Sequence, residues 1–384
     1  MIATALLLSQ VQGVRVTELP EAGAARLEVQ AIIKLPADLS PRERGALAII
    51  RDCLTQGTRD YSKDELQNYA LLVGEPIKVT LAYDHFRIGY SLPPRSLDVA
   101  SDLVSNLVRG ALFRDEDCLA TLALAPFKSF PAWQSSLSNW SVDYRNLRLA
   151  EVRQVYERYF RPENLCVAVS GPFGVGEVIQ EFEQRFQDWK PAAVRRIYEG
   201  KSQELYKSQA INTIGLWADI SGVPFAQLEL VSIALGLGKD GAAFRVIRNE
   251  LGQSYRQEGV VAPGPKGLRL GVVYQSTSSD GGVAALAALA KDIEAWNQAT
   301  LTRSIATISA LSSLGMTYSS IYLDPSLPLT ATPADQAYWT AYATANKLPV
   351  DRRAILAAMS TVTLDQLKTL AKRWASEAKI EVNK

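Results

Sequence analysis

The chain contains a single histidine, His85, among its 384 residues. Zinc sites with two histidine ligands, such as those built on H-x-x-E-H, need a pair of imidazoles that this chain does not have. A Ser-His-Asp or Cys-His mechanism would have to depend on His85 alone. The composition therefore argues against these metal and triad chemistries, and we expect His85 to be a structural or surface residue.

Cysteine is also scarce, and neither sign of charge is in excess. Cys53, Cys118 and Cys166 lie far apart and form no C-x-x-C pair, so at most one disulfide can form, and buried thiols are expected. The chain has 41 Lys and Arg against 40 Asp and Glu, a formal net charge of +1. This balance gives no electrostatic basis for binding nucleic acid.

Long apolar runs are absent as well. The uncharged stretch 304–323 is rich in Ser, Thr and Tyr, which makes it too polar to span a bilayer, so no transmembrane segment is expected. Residues 1–13 are uncharged too, and we interpret them as a candidate signal peptide or a disordered N-terminus, although they lack a basic n-region. A signal peptide would make the protein periplasmic or secreted, and without one it would be cytoplasmic.

The apolar residues that are present follow both strand and helix periodicities. Ala25–Leu35 alternates as a strand does, and Ser40 followed by Pro41 and Glu43 predicts a capped helix start. Similar patterns then recur along the whole chain. The residues therefore predict an α+β protein in which strands and helices share each domain.

The element order of the first half is repeated in the second. In 86–99 and 270–283 a strand, a short loop and an apolar helix follow one another, with a Tyr and a Val at the same offset. We expect two tandem homologous domains, 14–189 and 209–384, joined by a linker at 190–208. Each domain should have a mainly antiparallel sheet covered by helices.

Gly236-Leu-Gly-Lys-Asp-Gly241 matches the G-x-G-x-x-G fingerprint of dinucleotide-binding proteins. That fingerprint requires a strand before it, whereas the apolar spacing of 227–235 is helical. An NAD-linked oxidoreductase is therefore retained only as the alternative from another functional class. A glycine-rich turn between two helices is the favoured interpretation.

Three segments, taken in order, carry a family resemblance: Gly45–Thr58, Glu151–Gly171 and Phe244–Tyr255. Together they resemble the pitrilysin/insulinase family of zinc metallopeptidases, in its short-subunit, processing-peptidase-like branch. The first is similar to the frame around the family's zinc helix. The third is similar to a C-terminal segment written L-R-E-x-x-G-x-A-Y.

The zinc motif itself is missing from this frame. In active members H-x-x-E-H places two imidazoles at i and i+4 of one helix, with a general-base Glu between them. The resemblance puts Ala48, Arg51 and Asp52 at those positions. Ala48 has no donor atom, and Arg51 carries a permanent positive charge that repels a divalent cation. We therefore expect no metal or other cofactor on this chain, and zinc only in a catalytic partner.

The resemblance also assigns a substrate-binding pair to the second half. Active members position substrate with an Arg and a Tyr, and Arg248 and Tyr255 have the matching spacing. The leading hypothesis is a catalytically inactive subunit of a heterodimeric peptidase. Its partner would carry H-x-x-E-H, and the two chains would enclose a peptide substrate. The alternative within the family is a structural scaffold subunit that does not need Arg248 or Tyr255.

Overall fold

The computed structural model describes residues 7–11, 13–36, 38–73, 75–82, 84–125, 142–190, 212–264, 267–276, 278, 280–313 and 332–383. These residues form two compact units. The first contains the described residues between 7 and 190 together with 332–350, and the second contains those of 212–313 and 351–383. Each unit is built around its own β-sheet.

The strands are four to ten residues long, within the usual range for globular proteins. In chain order they are β1 (Leu7–Val11), β2 (Val14–Pro20), β3 (Leu27–Lys34), β4 (Lys78–Leu81), β5 (His85–Leu92), β6 (Leu165–Gly171), β7 (Asn212–Asp219), β8 (Gln257–Gly264), β9 (Gly267–Ser276) and β10 (Lys379–Asn383).

The helices lie mostly between these strands. In chain order they are α1 (Pro41–Cys53), α2 (Lys63–Val73), α3 (Leu97–Arg109), α4 (Asp115–Leu124), α5 (Leu149–Tyr159), α6 (Glu177–Phe186), α7 (Phe225–Gly236), α8 (Gly281–Glu294), α9 (Gln298–Ser313), α10 (Pro333–Asn346), α11 (Arg352–Ser360) and α12 (Leu364–Glu377). A 3-10 turn at Pro162–Asn164 and a π-helix at Phe244–Glu250 complete the set. Within the part of the chain that the structure describes, no helix has the length and apolar character that crossing a bilayer would require.

The two sheets repeat one strand order. The first sheet runs β1-β2-β6-β3-β5-β4 and the second runs β10-β7-β9-β8. The series β6-β3-β5-β4 therefore matches β10-β7-β9-β8, and every neighbouring pair in both series is antiparallel. The predicted α+β fold, with two similar and mainly antiparallel sheets, is confirmed, and the β2–β6 pair is the parallel exception.

Part of the segment 1–13, the candidate signal peptide or disordered N-terminus, lies among the described residues. Leu7–Val11 forms strand β1, which pairs antiparallel with β2. Val11 pairs with Val14, so the connection holds two residues, and its Gly13 has a φ of 97°. A positive φ is accessible to glycine without steric cost, which allows the tight reversal that makes this pairing local.

Helix α10 comes from the C-terminal half of the sequence but packs on β3 and β6 of the first sheet. Arg15 and Lys34 donate to the last carbonyls of this helix, those of Thr344 and Ala345. The predicted domains, 14–189 and 209–384, did not assign this helix to the first domain. The reason is that an amphipathic helix requires an apolar partner surface but does not encode which sheet provides it.

The single histidine lies in this contact. His85 is completely buried, its Nδ1 donates to Asp84 Oδ1 at 2.8 Å, and its Nε2 lies 3.0 Å from the Tyr338 hydroxyl of α10. The Tyr342 hydroxyl donates to the other oxygen of Asp84 at 3.2 Å. Both ring nitrogens are therefore occupied, and His85 has the structural role expected for it.

Tyr338→Phe should destabilise the first unit, because it removes the hydroxyl that satisfies a fully buried ring nitrogen. An unsatisfied buried polar atom costs about 1–3 kcal/mol. Urea unfolding monitored by circular dichroism measures the change. The matched control is Tyr255→Phe, since Tyr255 is 86% exposed and its hydroxyl is in solvent. Equal free energies of unfolding for the two variants would show that the Tyr338–His85 hydrogen bond does not contribute to stability.

The second unit contains a buried acid, Glu229. Glu229 of α7 is 5% exposed, and no residue that the structure describes forms a hydrogen bond with its Oε2. Burial raises the pKa of this carboxyl to about 8, because the charged form is excluded from water. The side chain is therefore protonated in the folded protein at neutral pH, whereas it ionises in the unfolded chain.

Glu229→Gln should remove a pH dependence of stability. Because the folded pKa is raised, stability is highest below the unfolded pKa near 4.5 and falls as pH rises to about 8. Between pH 5 and 8 the free energy of unfolding of the wild type should fall by about 4 kcal/mol more than that of the variant. Urea unfolding measured across this pH range tests the predicted difference, and the exposed Glu183→Gln is the control. Parallel stability profiles for wild type and Glu229→Gln would contradict the assignment.

Candidate functional site

The three positions that the family resemblance assigns to the zinc motif lie on α1. Ser40 caps this helix and Glu43 completes the capping box, as the sequence predicts. Ala48 is buried, whereas the side chains of Arg51 and Asp52 are about one-fifth exposed. Arg51 Nε donates to Asp52 Oδ1 at 2.7 Å. The one carboxylate at these positions is thus already neutralised by the neighbouring guanidinium.

A divalent cation needs several donor groups that converge on one point. No group of three or more His, Cys, Asp or Glu side chains converges in this way among the described residues. No carboxylate lies between Asp117 and Asp143 in the sequence, and 126–141 lies outside the described residues. The donor set present on α1 does not fit a catalytic zinc ion.

Arg248 lies on the π-helix Phe244–Glu250, where the sequence predicts an α-helix over 242–251. The wider turn appears as Leu251 N–H donating to the Val246 carbonyl, five residues back. Gly252, with a φ of 63°, then ends the helix. This turn redirects the chain and brings Tyr255 close to Arg248.

Arg248 and Tyr255 are in direct contact. The guanidinium carbon lies 5.0 Å from the centroid of the Tyr255 ring and 4.8 Å from that of Phe244. Both distances are within the range of a cation–π interaction. The family resemblance predicted the pair but not Phe244, although an aromatic residue four positions before Arg248 on a helix was an available signal.

The pair borders an open cavity of about 300 Å³. The glycine turn 236–239, Phe244 and the chain from Tyr255 to Gly259 form its walls. Tyr255 is 86% exposed, so its hydroxyl is available to a bound molecule. Cationic side chains predominate, since Lys239, Arg248 and Arg256 line the cavity against the single acid Glu258.

The glycine fingerprint has a packing role. It follows helix α7 rather than a strand, which is not the context of a dinucleotide site. A Cβ at Gly236 would lie 1.6 Å from the backbone nitrogen of Gly259, so only glycine permits this approach of α7 to β8. The favoured interpretation of Gly236–Gly241 as a turn after a helix agrees with this geometry.

Comparison with known proteins identifies the fold. No family model matches the sequence, and no curated protein is similar to it. Among solved structures, a protease from Helicobacter pylori superposes with a TM-score of 0.77 at 12% identity, over 99% of both chains. A peptidase M16 inactive domain from Pseudomonas fluorescens gives 0.75 at 12% identity, over 98% of this chain and 97% of that one.

Pitrilysin superposes with a TM-score of 0.64 at 12% identity, over 98% of this chain and 44% of its own length. Identities this low establish the fold alone. The chain therefore has the M16 peptidase fold, which also occurs in a domain described as inactive.

Zinc should not bind stoichiometrically to this chain. Titration calorimetry with zinc chloride at neutral pH should show no site in or below the micromolar range, because Arg51 places a positive charge where a metal would lie. The matched control is the triple variant Ala48→His, Arg51→Glu, Asp52→His, which restores donor atoms and should bind zinc more tightly than the wild type. One tightly bound zinc per wild-type chain would contradict this prediction.

Proposed function

We propose that this protein is a catalytically inactive subunit of a heterodimeric zinc peptidase, and that its Arg248 and Tyr255 contact the peptide substrate. The observation that carries the proposal is a contrast between the two halves. The zinc positions hold Ala48 and an Arg51–Asp52 ion pair, whereas Arg248 and Tyr255 are presented together at an open cavity. The catalytic zinc then belongs to a partner of the same fold that carries H-x-x-E-H.

The state of Arg248 supports a binding role. Its guanidinium is placed against two rings, and within the described chain it forms no hydrogen bond or ion pair. Its N–H donors are thus available while ring contacts restrict its orientation. A guanidinium held in this way can donate a fork of hydrogen bonds to a peptide carbonyl or carboxylate.

Tyr255 supplies a second donor beside the first. Its ring contacts Arg248, and its exposed side chain places a hydroxyl in solvent at the same cavity. A tyrosine hydroxyl can donate to the oxyanion that develops when a peptide carbonyl is attacked. In the proposed complex the nucleophile is a water activated on the partner's zinc, and this chain contributes only hydrogen-bond donors.

The test uses the partner chain that carries H-x-x-E-H, mixed with the wild type or with Arg248→Ala or Tyr255→Phe. Each variant should lower kcat/KM for peptide hydrolysis by about 100-fold or more, since loss of one transition-state donor costs about 2.7–4 kcal/mol in comparable sites. Sedimentation velocity of the same mixtures should show an intact complex. Arg303→Ala, an exposed arginine of α9, is the control.

An unchanged kcat/KM in both variants, with the complex intact, would contradict the proposed role of the pair. That result would favour the alternative of a structural scaffold subunit, for which assembly alone matters. Loss of the complex in Arg248→Ala would instead place this residue in the subunit interface, and Tyr255→Phe, which keeps the ring, would then be the deciding variant.

A further inference from the structure

The cavity beside Arg248 and Tyr255 holds an excess of positive charge. Four charged residues line it: Lys239, Arg248, Arg256 and Glu258. Their formal net charge is +2 (3 − 1), whereas the whole chain of 384 residues has a formal net charge of only +1. Arg256 and Glu258 also take part in other interactions within the fold. The charge that faces the open cavity therefore rests mainly on Lys239 and Arg248.

Neither of these two cations is neutralised inside the described chain. Lys239 is exposed and Arg248 is half-buried, and neither forms an ion pair with a residue that the structure describes. Two acids lie close to them in sequence, Asp240 and Glu250, but both are exposed and neither lines the cavity. Such a cavity attracts an anion and repels a cation, because a recess lined by one sign of charge concentrates the field.

The backbone that carries Lys239 is held close to the rest of the cavity. A Cβ at Gly236 would lie 1.6 Å from the backbone nitrogen of Gly259, and one at Gly259 would lie 2.0 Å from the Ser232 carbonyl oxygen. The end of α7 therefore contacts β8 backbone to backbone, which fixes the start of the turn that carries Lys239. The guanidinium of Arg248 is restrained independently by its two ring contacts. Both cations thus border one cavity from segments whose positions are set by packing.

A carboxylate is the anion of a peptide ligand that fits this arrangement. A guanidinium can bind both oxygens of a carboxylate through parallel N–H···O bonds, and an ammonium adds a compact positive charge. The five N–H donors of Arg248 allow it to bind a carboxylate while another donor reaches a peptide carbonyl. Peptides present carboxylates at Asp and Glu side chains and at the C-terminus.

We propose that Lys239 and Arg248 bind a carboxylate of the peptide substrate, and that this subunit therefore selects peptides that carry an acidic group. The proposal rests on the proposed function for the identity of the ligand as a peptide. It adds Lys239, which the glycine turn Gly236–Gly241 places at the cavity, as a specificity-determining residue. The glycine turn then has a functional consequence besides its packing role.

The experiment measures the binding of short dansyl-labelled peptides to the full chain by fluorescence anisotropy. The peptides differ at one central residue, Glu or Gln, and each is made with a free and with an amidated C-terminus. The extra carboxylate should tighten binding about 5-fold, which corresponds to the upper range for an exposed ion pair. The preference should decrease as salt is added, because exposed charges are screened. A preference for Glu over Gln assigns the carboxylate to a side chain, and a preference for the free over the amidated end assigns it to the C-terminus.

Variants of the two cations show whether the preference comes from this cavity. Lys239→Gln and Arg248→Gln should each lower the ratio of the affinities towards 1. Lys291→Gln should keep the ratio and is the matched control, because Lys291 is an exposed lysine of α8 in the same unit and does not line the cavity. Equal affinities for all four peptides, or a preference that persists in both cavity variants, would overturn the proposal. So would the absence of binding by any of the peptides at about 1 mM.

The carboxylate preference and the proposed function fail separately. Equal affinities, together with a lowered kcat/KM in the Arg248→Ala and Tyr255→Phe mixtures, would remove the carboxylate preference and leave the proposed function in place. A carboxylate preference that depends on Lys239, together with an unchanged kcat/KM in both mixtures, would contradict the proposed function and leave the carboxylate site in place.

Discussion

The packing of α10 on the first sheet is the contact on which the structure of the first unit depends. This helix follows most of the second unit in sequence, yet it packs on β3 and β6 of the first. Its Tyr338 and Tyr342 satisfy the buried pair Asp84 and His85. A buried polar pair is costly unless its hydrogen bonds are complete, so the first unit requires this helix to be in place.

That contact also accounts for the only histidine. Both ring nitrogens of His85 are engaged within the fold, so the residue is committed to structure and is not available as a catalytic base. The positions that the family resemblance assigns to the H-x-x-E-H motif hold Ala48 and an internally paired Arg51–Asp52 instead. The second unit keeps a different feature, an arginine restrained by two rings at an open cavity. The proposed role of a subunit that assists chemistry on another chain would account for both features together.

Local signals in the sequence predicted local structure well. The Ser40–Glu43 capping box marked the start of α1, and the helical spacing of 227–235 correctly placed a helix before the glycine fingerprint. The internal repeat predicted two similar sheets, because each repeat must pair its own strands. The M16 peptidase fold expected from the family resemblance agrees with the structural comparisons.

Features that depend on contacts distant in sequence were not predictable. The position of α10 and the Phe244 ring against Arg248 both depend on packing, which periodicity does not encode. The π-helix was also missed, since one extra residue per turn hardly changes an apolar pattern.

The most direct test of the proposed subunit role is to measure the composition and zinc content of the native complex purified through a tag on this chain. The account predicts a second chain of the same fold bearing H-x-x-E-H and one zinc per pair of chains, whereas a chain isolated alone with stoichiometric zinc and peptidase activity would contradict it.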